Sequence, residues 1–126
     1  ASCLVGSEMC IETGIIANQL PGACSRLERW GILQEFSLIV TSDQEGIAKP
    51  DPRIFEAALQ RAACPAERCV MIGDRLDNDI APAKKLGFKT VWVRQGLSAY
   101  TSPTSQWEQA DAVVDKIEQI MALFRV

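Results

Sequence analysis

Short apolar runs alternate with amphipathic stretches along this chain, and glycine or proline separates one from the next. The apolar runs have the length and the β-branched content that are typical of buried strands. They are Thr13–Ala17, Phe36–Thr41, Cys69–Ile72, Lys89–Val93 and a short edge run, Ala112–Val114. Strands that alternate with helices at this spacing predict an α/β fold with a doubly wound parallel sheet.

Local signals set the predicted helix boundaries. Ala23–Trp30 is expected to be helical and to end at Gly31, and Asp51 is a good N-cap for a helix with Pro52 in its first turn. Another helix is expected to begin at Asn78 or Asp79 and to run to Leu86, because Pro82 fits only near a first turn. Asp115–Phe124 is predicted as the last helix, after a polar loop over Gly96–Gln106.

Length and charge exclude several functions. The 126 residues suit one domain covering positions 1–126, with the role of residues 1–10 left open. The net charge is -3 and no basic run is present, which argues against nucleic acid as a partner. No apolar stretch reaches the ~18 residues of a membrane span, and no basic segment precedes the first apolar patch as in a secretory signal. We therefore expect a cytoplasmic protein without a membrane partner.

The chain has five cysteines and no histidine. No cysteine pair has CxxC spacing, so zinc would find a poor set of ligands, and reduced thiols in a cytosolic core are expected instead. The absence of histidine also removes Ser-His and Cys-His catalysis, since the proton-relaying base is missing. Any chemistry must depend on carboxylates, lysine or a metal.

The most informative stretch is VMIGDRLDNDI, where an apolar strand runs directly into Gly73-Asp74. Ligands bind at the carboxyl ends of strands in open α/β sheets, and Asp79 follows Asp74 closely enough to converge with it. Paired carboxylates at this place suit a hard cation such as Mg²⁺. The alternative is that Asp77, Asn78 or Asp79 only caps the following helix.

Two further positions carry weaker signals. Lys49 ends the loop GIAKPDP, where Pro50 restricts the backbone and presents one positive charge to anionic oxygens. A solvated surface lysine is the simpler interpretation of this residue taken alone. Asn18 follows the strand TGIIA, where its amide would either donate to a phosphate or form an Asx-turn.

In this order and spacing, the three segments resemble the haloacid dehalogenase (HAD) hydrolase superfamily. The strand ending in Ala17-Asn18 is similar to its second motif, GIAKPDPRIF to its third and GDRLDND to its fourth. The resemblance implies Mg²⁺-dependent phosphoryl transfer from a phosphorylated small molecule through an aspartyl intermediate. It implies that Asp74 is a metal ligand, that Asp79 is a further acid of the metal site, and that Lys49 is a catalytic residue that also binds phosphate, with Asn18 beside it.

The sequence departs from the family pattern in two places. The nucleophile motif, an Asp-x-Asp on the first strand, is absent, since Asp77-Asn78-Asp79 already belongs to the fourth motif. Ala17 stands where a threonine or serine hydroxyl usually binds phosphate. We therefore expect no turnover by the isolated chain and weak Mg²⁺ binding, unless Asp43 or Glu45 completes the metal site.

Three functional classes remain open. They are a phosphatase half that a complementing chain completes, an inactive HAD-like binding or interaction module, and an unrelated small α/β regulatory domain with an acidic metal site. In the fold that the chain resembles, the first strand lies between the strands ending at Ala17 and Ile72. Those strands could pair directly, Ser2–Gly6 could fill the gap, or a second chain could cover it. Because Ser2–Gly6 is short, we expect a second chain, most simply in a C2 homodimer.

Overall fold

The computed structural model describes residues 2–6, 11–18, 28–29, 31 and 37–120, which form a six-stranded sheet with helices packed against it. The strands are β1 (Ser2–Gly6), β2 (Ile11–Ala17), β3 (Leu38–Thr41), β4 (Cys69–Gly73), β5 (Lys89–Val93) and β6 (Ala112–Val114). Their order across the sheet is β3-β2-β1-β4-β5-β6. The pairs β2–β3, β4–β5 and β5–β6 are parallel, which confirms the predicted α/β architecture.

The strand β1 occupies the middle of the sheet and runs antiparallel to both of its neighbours. Ser2 lies opposite Ile15 of β2 and opposite Ile72 of β4. Four residues, 7–10, separate β1 from β2. A connection this short permits a hairpin but not the longer crossover that two parallel strands require, which explains the direction of β1.

This position of β1 corrects the premise of the predicted homodimer. The prediction assumed that β2 and β4 lack a partner on their facing edges, so that a second chain would be needed to cover them. In the structure β1 hydrogen-bonds to both strands, so the gap is filled from within the chain. The homodimer therefore loses the observation on which it depended.

Between residues 37 and 120, three α-helices connect the strands: α1 (Ser42–Glu45), α2 (Pro52–Ala62) and α3 (Ala81–Leu86). The predicted N-cap of α2 is confirmed, because the Asp51 side chain accepts a hydrogen bond from the Arg53 N–H at 2.9 Å. The predicted start of α3 at Asn78 or Asp79 is wrong. A π-helical turn, Leu76–Ile80, leads into α3 without a side-chain cap, and Gly87 ends the helix as expected.

Two apolar clusters cover opposite faces of β4. Met71 packs with Phe55 of α2 and Phe88 on one face, whereas Ile72 packs with Val91 and Val114 on the other. A strand covered on both faces explains the uniformly apolar run CVMI. Of the predicted helix Ala23–Trp30 only Glu28 and Arg29 are described, and both are helical. The predicted start of the last helix at Asp115 is wrong, because Asp115 and Lys116 are not helical and Ile117–Gln119 forms a 3₁₀ turn; the part beyond residue 120 lies outside the described residues. Within the described ranges, no helix is long and apolar enough to cross a bilayer.

Candidate active site

The candidate site lies where β2 and β4 end, at the same edge of the sheet. Asn18 follows β2 directly and Asp74 follows β4 directly. Asp79 belongs to the π-helical turn, and Lys49 belongs to the loop between α1 and α2. Parallel strands present their carboxyl ends on one side, so residues that are distant in sequence come together there.

Asn18 and Lys49 hold each other through two hydrogen bonds. The Lys49 N–H donates to Asn18 Oδ1 at 2.7 Å, and Asn18 Nδ2 donates to the Lys49 carbonyl oxygen at 3.0 Å. The amide of Asn18 therefore fixes the backbone from which the lysine side chain extends. Its expected contact with phosphate stays a prediction, since the described contacts give this amide a positioning role.

Lys49 and Asp79 form a buried ion pair. Lys49 Nζ lies 2.6 Å from Asp79 Oδ1, and the two side chains are 7% and 3% exposed. The Arg75 N–H donates to Asp79 Oδ2 at 3.2 Å, so both carboxylate oxygens have partners. Burial of two charges costs solvation free energy, which these direct interactions offset. The simpler interpretation of Lys49, a solvated surface lysine, is therefore wrong.

Gly73 provides the space that Asp79 occupies. A Cβ atom on Gly73 would lie 2.4 Å from Asp79 Cβ and 2.5 Å from Asp79 Oδ2, which is far inside van der Waals contact. Asp79 therefore packs against the backbone at the end of β4. This close approach of Asp79 explains why a glycine, which has no side chain, precedes Asp74 at the end of the strand.

Asp74 faces outward from this cluster. Its side chain is exposed and has no described hydrogen-bond partner, whereas its carbonyl oxygen accepts a hydrogen bond from Trp92 Nε1 at 3.0 Å. The neighbouring residues Arg75 and Asp77 pair with each other at 2.7 Å and 3.1 Å. Hydrogen bonding to the Arg75 side chain lowers the pKa of Asp77 below its ordinary value. The structure thus joins Asn18, Lys49 and Asp79, but it does not join Asp74 to them through a side-chain contact.

The described residues do not fit a complete Mg²⁺ site. Mg²⁺ requires near-octahedral oxygen coordination, usually from one or two carboxylates together with waters and substrate. No group of three or more acidic, histidine or cysteine side chains converges among residues 2–6, 11–18, 28–29, 31 and 37–120. Asp79 is already engaged, and Glu45 pairs with Arg61. Of Asp74 and Asp79, the two acids assigned to the metal, only Asp74 has a carboxylate without a described partner.

Sequence reasoning missed two residues that shape this site. Trp92 is buried in β5 and holds the backbone of Asp74, and Arg75 contributes both a backbone donor to Asp79 and a side-chain partner for Asp77. Trp92 belongs to a uniformly apolar strand, so nothing in the sequence distinguishes it from a core residue. Its contact with Asp74 depends on the register that places Trp92 beside Gly73.

The fold and this lysine–aspartate cluster define an α/β protein with a polar site at the carboxyl ends of its parallel strands. A family model described as HAD-hydrolase-like matches residues 46–120, which is more than half of the chain. The chain therefore belongs to the HAD-like hydrolase family, as the resemblance predicted.

Relatives in this family include several phosphatases. A glyceraldehyde 3-phosphate phosphatase from Pyrococcus furiosus is 36% identical over 110 residues, covering 86% of this chain and 45% of that protein. A phosphoserine phosphatase from Thermus thermophilus is 40% identical over 67 residues, covering 53% and 27% of the two chains. The chain thus spans less than half the length of these relatives.

Solved structures of family members have the same fold. A HAD phosphatase from Thermococcus onnurineus superposes with a TM-score of 0.74 at 26% identity, over 87% of this chain and 48% of that one. The HAD-hydrolase YfnB from Bacillus subtilis, whose structure was determined with magnesium bound, superposes with a TM-score of 0.76 over 90% and 49% of the two chains. At 23% identity, the second comparison concerns the fold alone.

Proposed function

We propose that this chain is a single HAD-like core domain that carries the phosphate-binding side of a phosphatase site. The observation that carries the proposal is the Asn18–Lys49–Asp79 cluster, which fixes a buried ammonium at the carboxyl end of the sheet. A point charge held in this way suits the neutralisation of a phosphoryl group. Its substrate class would be a phosphorylated small molecule, in keeping with the phosphatases among its relatives.

Inorganic phosphate is the direct probe of this binding role. Titrated into the isotopically labelled chain, it is expected to move NMR signals around Asn18 and Lys49. The shifts should disappear in Lys49→Met, because the charge that attracts the anion is gone. Lys85→Met removes an exposed lysine of α3 and should leave them unchanged. Equal shifts in all three proteins would contradict a phosphate site at Lys49.

We also propose that the 126-residue chain alone does not turn over phosphate esters. Lysine and carboxylates that are already paired stabilise charge, but they do not replace an attacking nucleophile. The one Asp-x-Asp in the sequence, Asp77-Asn78-Asp79, has its first acid bound to Arg75 and its last acid bound to Lys49. An aryl phosphate assayed with Mg²⁺ should therefore give no rate above buffer. Turnover that Asp74→Asn abolishes would contradict this proposal.

Weak Mg²⁺ binding through Asp74 completes the proposal. A single available carboxylate with retained waters gives few protein ligands, so NMR signals near Asp74 should move only at millimolar Mg²⁺. Asp74→Asn should remove these shifts, whereas Asp77→Asn, at an acid paired with Arg75, should keep them. Micromolar affinity would mean that a further carboxylate, such as Asp43, completes the site.

We place the protein in the cytoplasm. Neither Cys64 nor Cys69 forms a disulfide, and Cys69 is buried in the apolar core. Reduced, buried thiols are typical of proteins from a reducing compartment. Labelling of thiols in freshly lysed cells tests this placement, since a protein from an oxidising compartment would give blocked thiols.

The inactive binding module is a second candidate. Every member of the Asn18–Lys49–Asp79 cluster already has a partner within the chain, so the cluster is complete without substrate. The chain is assayed together with an extract that supplies any complementing chain. Phosphate binding without turnover under these conditions would favour the inactive module. Turnover restored by the extract would favour a partner-completed phosphatase half.

A further inference from the structure

A surface cavity of about 610 Å³ opens beside the candidate site. It lies between the turn after β4 and the segment after β5, with Asp74 and Arg75 on one side and Gln95, Leu97 and Ser102 on the other. Its volume falls in the range of small-molecule sites, and it lies at the sheet edge where ligands bind in this class of fold.

The cavity is connected to Lys49 through one carboxylate. The backbone N–H of Arg75, a lining residue, donates to Asp79 Oδ2, while Lys49 Nζ contacts Asp79 Oδ1. Arg75 thus belongs both to the cavity lining and to the hydrogen-bonded group that includes Lys49. This shared residue makes the cavity a neighbour of the Asn18–Lys49–Asp79 cluster.

The charge of the lining excludes an anionic occupant. Three carboxylates, those of Asp74, Asp77 and Glu108, face one cation, Arg75. The side chain of Arg75 is already hydrogen-bonded to both carboxylate oxygens of Asp77, so the charges of Arg75 and Asp77 neutralise each other. The remaining balance is negative, so a second anionic group in the cavity would be repelled.

Several polar groups of the lining are available to a ligand. In the described part of the chain, the carboxylate of Asp74, the side-chain amide of Gln95 and the hydroxyl of Ser102 have no hydrogen-bond partner. The carboxylate only accepts hydrogen bonds, while the amide and the hydroxyl also donate them. These groups complement a ligand with several O–H or N–H donors, and Leu97, which is 89% exposed, supplies apolar contact beside them.

We propose that this cavity binds the non-phosphorylated end of a small phosphate ester, and that this end is a polyol without negative charge, either neutral or amine-bearing. The phosphate would then lie towards Lys49, and this orientation rests on the proposed phosphatase function. The selection for a non-anionic, hydrogen-bond-donating group rests on the cavity itself. Apart from Asp74, which the proposed function also assigns to Mg²⁺, the chain would thus recognise its ligand with loop residues that no catalytic step requires.

Three probes with the same carbon skeleton test the selection: glycerol, 3-amino-1,2-propanediol and glycerate. They differ in charge, and none contains phosphate. Glycerol and the amine are expected to move the NMR signals of residues 95–98 and of Ser102, whereas glycerate should leave them in place. Glycerate binding as tightly as glycerol, or no movement of these signals with any probe, would overturn the proposal.

Matched variants separate the cavity from general surface effects. Gln95→Ala removes one hydrogen-bonding group and should weaken glycerol binding about threefold to tenfold. Gln109→Ala changes an exposed glutamine outside the cavity and should leave the affinity unchanged. Equal weakening by both variants would overturn the proposal. The amine should bind more tightly than glycerol, because the Asp74 carboxylate attracts its positive charge. Asp74→Asn should abolish this preference, while Asp43→Asn, in α1, should retain it. Because these titrations contain neither phosphate nor metal, their failure and the failure of the phosphatase proposal are distinguishable.

Discussion

Lys49 and Asp79 depend on each other because both charges are buried. The side chains are 7% and 3% exposed, and their charged atoms are 2.6 Å apart. Removing one partner leaves the other charge buried and uncompensated, which typically costs about 3–5 kcal/mol. We therefore expect Lys49→Met and Asp79→Leu each to lower the free energy of unfolding by this amount in urea titrations.

The double variant Lys49→Met/Asp79→Leu provides the control for this prediction. With both charges removed and apolar side chains in their place, most of the lost stability should return, because no unpaired buried charge remains. Lys85→Met, at an exposed lysine, should change stability little. Additive losses in the double variant would show that the two side chains are not energetically coupled.

Gly73→Ala is expected to destabilise the protein through crowding alone. The new methyl group would lie 2.4 Å from Asp79 Cβ, so the turn that carries Asp79 must shift. Overpacking of a filled site typically costs about 1–3 kcal/mol. Urea unfolding measures the loss, and NMR should show shifts at Asp79 and Lys49. An unchanged midpoint would mean that the turn moves freely.

The sequence indicated the site residues better than it indicated their contacts. Lys49 and Asp79 are recognisable from their motifs, but their ion pair requires a fold that brings together residues 30 positions apart in the sequence. Asn18 was expected near phosphate, yet both ends of its amide hold the backbone of Lys49. Short-range patterns identify reactive residue types, whereas partners across the sheet depend on tertiary packing.

At the scale of elements, the start of α2 combines a cap with a charge pair. Hydrogen bonds from the Arg53 side chain, and then from its backbone N–H, lower the pKa of Asp51 from 3.8 to about 2. A carboxyl with a lowered folded pKa stabilises the folded state above its unfolded pKa. This stabilisation is lost as the pH falls from 3.8 towards 2.

Asp51→Asn tests this pH dependence because asparagine also caps helices well. The variant should lose less stability than the wild type between pH 3.8 and 2 when urea midpoints are compared, since its cap has no charge to titrate. Asp43→Asn, at an exposed acid of α1 without a described hydrogen bond, should follow the wild-type profile. A wild-type profile for Asp51→Asn as well would contradict a stabilising charge at Asp51.

Elements with strong local signals were predicted closely, and elements that depend on their surroundings were not. Lys89–Val93 and Ala112–Val114 have the bounds expected from their apolar runs. The π-helical turn Leu76–Ile80 was missed, because the sequence does not distinguish an i→i+5 turn from the first turn of an α-helix. The strand Ser2–Gly6 was considered too short to fill the sheet, yet two flanking strands give its backbone partners on both edges.

At the scale of the whole molecule, the filled sheet removes the reason for which a homodimer was expected. The edges of β2 and β4 that would have attracted a second chain are hydrogen-bonded to β1. We therefore expect light scattering after gel filtration to give a mass near 13.8 kDa that holds through a dilution series. A concentration-dependent mass of twice this value would contradict the prediction.

A variant in β1 tests whether this strand is the reason for the expected monomer. Leu4→Pro removes a backbone N–H and restricts the backbone in a strand that pairs on both sides. If β1 protects its neighbours from association, this variant should form larger species at concentrations where the wild type does not. Glu118→Pro, at an exposed position outside the sheet, is a control that should stay monomeric. Unchanged mass in the folded Leu4→Pro protein would show that β1 does not have this role.

The central position of β1 also couples ligand binding at the site to opening of the sheet. Among the described strands, β1 alone joins β2 and β3 to β4, β5 and β6, and Lys49 spans the same division by contacting Asn18 and Asp79. If an anion at Lys49 changes the free energy of opening of β1, opening of β1 must change the binding free energy of the anion by the same amount. Amide hydrogen exchange in β1 would therefore report whether the anion is bound at Lys49, although the anion does not contact β1.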